Sequence, residues 1–236
     1  MTALTAPAGR MTGPSQGVAG AWCGLGLALL WAPMAVVIQQ FPDLDSPTEV
    51  GAFWRDHGSL TIFVIVSVAA GYPLLLMFLA DVAARAARNR PHSALGWAAM
   101  AAGVMFTTGL AVALGLAAAA GLIVDQGVGA SAAYGLHVGA FVLAAPFTGA
   151  GVAFFVFVAL LADRGSLGAR WLRWPALLGV VGNAGAIGGL FTLTGPANSG
   201  NGILGGILLP LGTLLGWIMC ASCSWLRDHR HPGPTT

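Results

Sequence analysis

Long apolar runs alternate with short polar breaks along this chain. The runs fall at about 18–38, 60–84, 94–124, 132–162, 174–194 and 203–226. Each is close to or beyond the roughly 20 residues a helix needs to cross a bilayer. They are continuous and do not alternate with period two. That excludes the segments of about 10 residues that mark an outer-membrane barrel. Helices are then required, because backbone polar groups in lipid must be paired within the segment itself. The pattern predicts an all-α fold: a polytopic membrane helix bundle with six transmembrane helices and a short external interfacial helix. One transmembrane domain, 18–226, lies between cytoplasmic tails 1–17 and 227–236. The first run exceeds the apolar core of about 7–15 residues of a cleaved signal peptide and is followed by similar runs, so it reads as a retained span.

The polar breaks carry their own signals. Ser46-Pro47-Thr48-Glu49 has the form of a capping box with proline at the first helical position. Val50, Phe53, Trp54 and His57 follow at i, i+3, i+4 and i+7, which makes one apolar-aromatic stripe. A helix lying at the membrane interface fits that stripe. Gly71-Tyr72-Pro73 interrupts the second span and predicts a kink there. Asp81 and Arg85 are four apart and can pair on one helix face. Gly195 to Gly202 reads as a tight reversal.

Composition agrees with the pattern. The chain of 236 residues is 57% hydrophobic and 8% charged, with a mean hydropathy of +0.81. Soluble domains carry about 25% charged residues. The net charge of +2 and the lack of a basic run give no reason to expect nucleic acid. The distribution of charge is more informative. With six spans, Arg10, Arg85, Arg88, Arg90, Arg164, Arg170, Arg173, Arg227 and Arg230 fall on one side, leaving Arg55 on the other. Positive residues collect on the cytoplasmic side. This predicts a multi-pass protein of the bacterial inner membrane with both termini in the cytoplasm. Asp43, Asp45, Glu49, Asp56 and Asp125 then lie outside and read as solvated loop residues.

The chain contains 35 glycines. Gly20/Gly24, Gly135/Gly139, Gly185/Gly189 and Gly212/Gly216 have the spacing that lets membrane helices approach closely. Together they predict a tight bundle in the lipid bilayer. Any one face could equally hold a second copy of the chain or another membrane partner.

Few residues within the spans carry chemistry. His137 is the one titratable group in the interior of its run, near the outer boundary and within reach of water by snorkelling. Tyr134, His137 and Thr148 fall near one helical face. With Thr107 and Asn183 they form the candidate ligand-binding set, suited to a small apolar ligand. Hydrogen bonds between helices explain the same polar groups. A bis-histidine haem has no second histidine within a span, so no cofactor is expected, and no catalytic or metal-binding residue is assigned. Asp81, Asp125 and Asp163 sit at helix ends, away from the mid-depth position of a proton carrier. Cys220 and Cys223 form a C-x-x-C near the same end as Cys23. These thiols could serve a redox or metal site if the helices touch, and small apolar helix residues are the plainer account.

Several motifs in the second half stand together: Gly135-Leu136-His137, Gly168-Ala169-Arg170-Trp171-Leu172, Gly179-Val180-Val181-Gly182, Leu208-Leu209-Pro210-Leu211-Gly212 and Trp225-Leu226. In these the C-terminal half resembles a family of six-helix bacterial integral membrane proteins known only as a domain of unknown function. The resemblance implies a six-helix membrane protein and supplies no activity. The expectation is a non-enzymatic membrane component or accessory subunit. The alternatives are a small-molecule or lipid transporter or binding protein with a pocket near His137, and a membrane redox protein using Cys220 and Cys223.

Overall fold

The computed structural model describes residues 16–43, 45–89, 94–127, 129–192, 194–198, 201–204 and 207–230. Most of the N-terminal tail, Arg90 and Pro91 of the first basic turn, and the tail from residue 231 lie outside them. The described residues are helical, without strands. The helices are α1 (Gln16–Gln39), α2 (Pro47–Asp56), α3 (Gly58–Asn89), α4 (Leu95–Asp125), α5 (Ala130–Asp163), α6 (Arg173–Gly188) and α7 (Leu208–Arg230). Single 3-10 turns, Arg170–Leu172 and Gly189–Phe191, flank α6.

Five helices, α1, α3, α4, α5 and α7, are long and apolar enough to cross a membrane. Their outward positions carry large apolar side chains such as Leu29, Ile62, Val66, Met105 and Val142. A water-facing surface would not tolerate that distribution on every long helix, whereas lipid does. The chain is a helical, multi-pass membrane protein.

The fifth predicted span differs from the expectation. Its helix, α6, has 16 residues, short of the roughly 20 needed to span, and the following helix starts at Leu208, not near 203. Side-chain hydrogen bonding holds the connecting loop before α7 in a non-helical form. Asn198 is buried, donates through Nδ2 to the Gly195 carbonyl at 2.7 Å, and accepts through Oδ1 from the amides of Asn201 and Gly202 at 3.0 and 3.2 Å. Such local bonds offer the backbone an alternative to helix. Gly195 takes the positive φ of +79° this loop requires. The expected tight reversal is a folded loop that docks on α1: Asn201 Nδ2 donates to the Phe41 carbonyl at 2.8 Å.

Side-by-side helix order follows from close approaches at glycine. Gly20 of α1 faces Asp81 of α3, and Gly24 faces Ser222 of α7 and Phe78 of α3. Gly71 of α3 receives the Trp31 indole, whose Nε1 donates to the Ser67 carbonyl at 2.9 Å. That contact seats α1 in the turn before Pro73, and α3 runs unbroken through the proline. Gly103 of α4 meets Leu79 and Phe154, Gly109 meets Phe147, Gly151 meets Asn183, and Gly179 meets Phe155. A side chain at any of these would force the helices apart, as expected where association rests on van der Waals packing.

Candidate functional site

Two buried polar clusters sit at opposite ends of the bundle. At one end α1 finishes, α2 packs and α5 begins. At the other, α1 begins, α3 and α7 finish, and the α5–α6 connection turns. They are named here the aromatic end and the basic end.

The aromatic end is built by α2. Ser46 caps it, its Oγ accepting the Glu49 amide at 3.2 Å, with Pro47 at the first position. The stripe read from the sequence is present, but Val50, Phe53 and Trp54 point into the protein, against α4 and α5. Glycines make room: Gly51 rests on Ala130, and Gly121 lies under Trp54 and Thr61. His57 stays outside and stacks on Phe53 at 4.5 Å.

Trp54 Nε1 donates to His137 Nδ1 at 3.3 Å. His137 is fully buried, so it does not snorkel to water as its position near the run's edge suggested; α2 covers it. Phe41 and Phe141 present their rings edge-on to the imidazole at 5.2 and 5.0 Å. Because Nδ1 accepts, the proton of the neutral ring resides on Nε2. Nε2 is buried without a hydrogen-bond partner. An unpaired buried donor of this kind costs about 1–3 kcal/mol.

Of the other expected ligand residues, Thr148, Thr107 and Asn183 do not join His137. Tyr134 is half-buried against the core one turn away. Thr148 Oγ1 donates to the Ala145 carbonyl at 2.6 Å, and Thr107 Oγ1 to the Gly103 carbonyl at 2.7 Å. Asn183 Nδ2 donates to the Gly179 carbonyl at 2.9 Å, while its Oδ1 lies unpaired beside Gly151. From His137 to Gly151 the α5 axis rises about 21 Å at 1.5 Å per residue, so Asn183 belongs to a different layer. These three side chains bond within their own helices, the back-bonding habit of small polar residues in apolar helices. A bond between helices does link Tyr72 and Thr108.

The basic end is charged. Arg85 Nε donates to Asp81 Oδ2 at 3.0 Å, and Arg88 Nη2 lies 3.8 Å from Oδ1. The i, i+4 spacing of Asp81 and Arg85 predicted that pair. Its surroundings were not legible: the Arg85 guanidinium lies 4.1 Å over the ring of Trp225, a cation–π contact. Trp225 stacks on Phe78 at 5.4 Å and donates through Nε1 to the Leu167 carbonyl at 2.8 Å. Trp217 continues the aromatic column to Phe154 at 5.5 Å. Asp81 is buried against Gly20, beside a cleft of about 380 Å³ between α1 and α3 that Met77 and Arg88 also line.

The thiols lie toward the basic end, where Cys223 lines a cleft with Trp171, Arg227 and Asp228. Cys23 and Cys220 are half-buried and Cys223 is exposed; at the α1–α7 crossing Gly24 meets Ser222, not sulfur. Among the described residues no group of three His, Cys, Asp or Glu side chains could hold a metal ion. Comparison with protein-family models, curated proteins and solved structures finds no match, and so adds nothing to the resemblance drawn from the second half.

Proposed function

We propose that the chain is a non-enzymatic component of the bacterial inner membrane that docks another membrane helix on its open glycine faces. Six crossings support the topology best. The α5–α6 turn is tied to Trp225 at the basic end, and the loop after α6 is tied to Phe41 at the aromatic end, so the chain between them traverses the bundle. On this reading α6 and its flanking 3-10 turns make a short fifth crossing. The basic end, with Arg85, Arg88, Arg164, Arg170, Arg173, Arg227 and Arg230, faces the cytoplasm, and α2 is external.

One observation carries the function. Three of the four glycine pairs divide into two kinds. Gly20 and Gly24 are filled by neighbouring helices, but Gly135, Gly139, Gly212 and Gly216 have open space where a side chain would project. Gly135/Gly139 on α5 and Gly212/Gly216 on α7 therefore present close-packing faces that the monomer leaves unused. Photocrosslinkers placed at Gly139 and Gly212 in native membranes should give adducts with a second copy or with one partner polypeptide. Absence of any polypeptide adduct from both positions would sink the proposal.

A second reading has its own observation. The buried Nε2 of His137 could donate to an acceptor on a small apolar or lipid ligand held near Tyr134 and His137, as in a transporter or binding protein. Stripping such a ligand should lower the melting temperature of the natural chain but not of His137→Phe. Equal melting before and after stripping would remove this reading.

A further inference from the structure

A groove opens on the membrane-facing side of the α5–α6 crossing. Its volume is about 320 Å³. Val156, Leu160 and Asp163 line it from α5 at a spacing of four and three residues, one stripe of that helix. Arg173, Trp174 and Leu177 line it from α6. The stripe sits beside the true helix contact, where Phe155 fills the space over Gly179, so packing of the two helices leaves the groove vacant.

The groove has two chemically distinct ends. Val156, Leu160 and Leu177 form the apolar end and are all substantially exposed. The other end carries a cation and an anion side by side: Arg173 Nη1 lies 2.6 Å from Asp163 Oδ1. This pair is open, with side-chain exposures of 40% and 58%, unlike the buried Asp81 pair. The Arg173 guanidinium also lies 4.8 Å over the exposed ring of Trp174. Arg173 retains N–H donors beyond its bond to Oδ1, and Asp163 retains Oδ2 as an acceptor. Asp163 ends α5 and Arg173 begins α6, which sets the pair at headgroup depth, where tryptophan is also favoured.

We propose that this groove is a binding site for a bilayer phospholipid with a zwitterionic, primary-amine headgroup, a phosphoethanolamine lipid. The phosphate takes the spare N–H donors of Arg173, whose planar fork suits phosphate oxygens. The ammonium donates to Asp163. An acyl chain lies along Val156, Leu160 and Leu177. Each charge of the headgroup meets its opposite, so the site distinguishes lipids by their nitrogen. A choline headgroup has no N–H to give Asp163, and a glycerol headgroup has no cation to set against that carboxylate. The inference needs the helix ends at a membrane surface and does not depend on the open glycine faces.

The test is lipid retention in native mass spectrometry of the detergent-purified full chain, titrated with phosphatidylethanolamine, phosphatidylcholine and phosphatidylglycerol of matched acyl chains. Both nitrogens are cationic, so the difference is the N–H hydrogen bond to Asp163, and at about 1 kcal/mol net this is a factor of about five. Phosphatidylethanolamine should therefore bind about three- to fivefold more tightly than phosphatidylcholine. Asp163→Asn should weaken both lipids and the ethanolamine lipid more, narrowing the gap between them, and Arg173→Gln should weaken both. Leu160→Trp, which fills the groove without touching the charges, should reduce retention of both lipids. Equal binding of ethanolamine and choline lipids by the natural chain would overturn the proposal, as would tighter binding of the glycerol lipid. Crosslinking from Gly139 and Gly212 should be unchanged in Asp163→Asn, so failure here is distinct from failure of the docking proposal.

Discussion

The aromatic end buries a histidine among rings, with no ion pair beside it among the described residues; the basic end buries a carboxylate between two arginines. Both sit where helices terminate, and both lean on tryptophan. At the aromatic end the indole of Trp54 is itself the hydrogen-bond donor, to His137. At the basic end the indole of Trp225 supplies a ring face to Arg85 and gives its N–H to the Leu167 carbonyl instead. The first arrangement is a pair. The second is a network that includes Asp81, Arg85, Arg88, Trp225 and the α5–α6 turn. A buried neutral group can be served by one partner, whereas a buried charge needs a counter-charge and hydrogen bonds to offset its desolvation.

Breaking the network should produce the largest effect. Asp81→Ala leaves Arg85 in place with its carboxylate gone. Removing one partner of a buried ion pair costs about 3 kcal/mol or more, so a marked drop in melting temperature in detergent is expected. Replacing both partners, as in Asp81→Leu with Arg85→Met, should not restore stability fully. It discards the stacking on Trp225 and leaves Arg88 without its 3.8 Å neighbour. Full recovery in the double variant would show that the basic end is a simple pair, and the contrast would collapse.

The aromatic end should behave differently under the same treatment. Trp54→Phe leaves Nδ1 of His137 buried without a donor, and His137→Phe leaves the Trp54 N–H buried without an acceptor. Trp54→Phe should cost about 1–3 kcal/mol, and His137→Phe less, because it also removes the unpaired Nε2. Trp54→Phe with His137→Phe removes the paired donor and acceptor together, and the unpaired Nε2 with them, and that exchange can be close to neutral. The double variant should therefore melt nearer the natural chain than either single one does. Additive losses would mean that the 3.3 Å contact contributes little and that ring packing alone holds α2.

Much of the fold was legible because a bilayer imposes length. The runs near 18–38, 60–84, 94–124 and 132–162 reappear as helices with ends shifted by a few residues or less at most ends, the largest shift lying at the C-terminal end of the second run. The capping signal at Ser46 also survives, since it is local. The direction of the α2 stripe was not legible, because an apolar stripe suits lipid and protein equally, and the glycines that admit it lie in other helices. Trp54 and His137 are 83 residues apart, and no spacing rule joins them. The late start of α7 has a related reason: the Asn198 side chain bonds Gly195, Asn201 and Gly202, which hydropathy does not register. Glycine spacing predicted a tight bundle only from the pairs together, and it could not say which pairs the bundle itself fills. The His137, Thr107 and Asn183 set failed to converge because depth along α5 separates the residues, and hydroxyls in apolar helices satisfy themselves locally.

The Asp163–Arg173 pair sets the lower bound of the comparison. Its distance, 2.6 Å, is shorter than that of the Asp81–Arg85 pair at 3.0 Å, so distance alone would rank it stronger. Exposure reverses the ranking. Water and salt reach Asp163 and Arg173, and exposed pairs contribute about 0–1 kcal/mol. Asp163→Ala should therefore change the melting temperature least of the charge removals, and raising salt from about 0.01 to 1 M, which shortens the screening length from about 30 to 3 Å, should erase what effect there is. The Asp81→Ala loss should persist over the same range, because buried charges are screened much less. If Asp163→Ala proved as damaging as Asp81→Ala, and did so at high salt, burial could not be what separates the two kinds of pair. The short α6 would then depend on its terminal ion pair to hold its place beside α5.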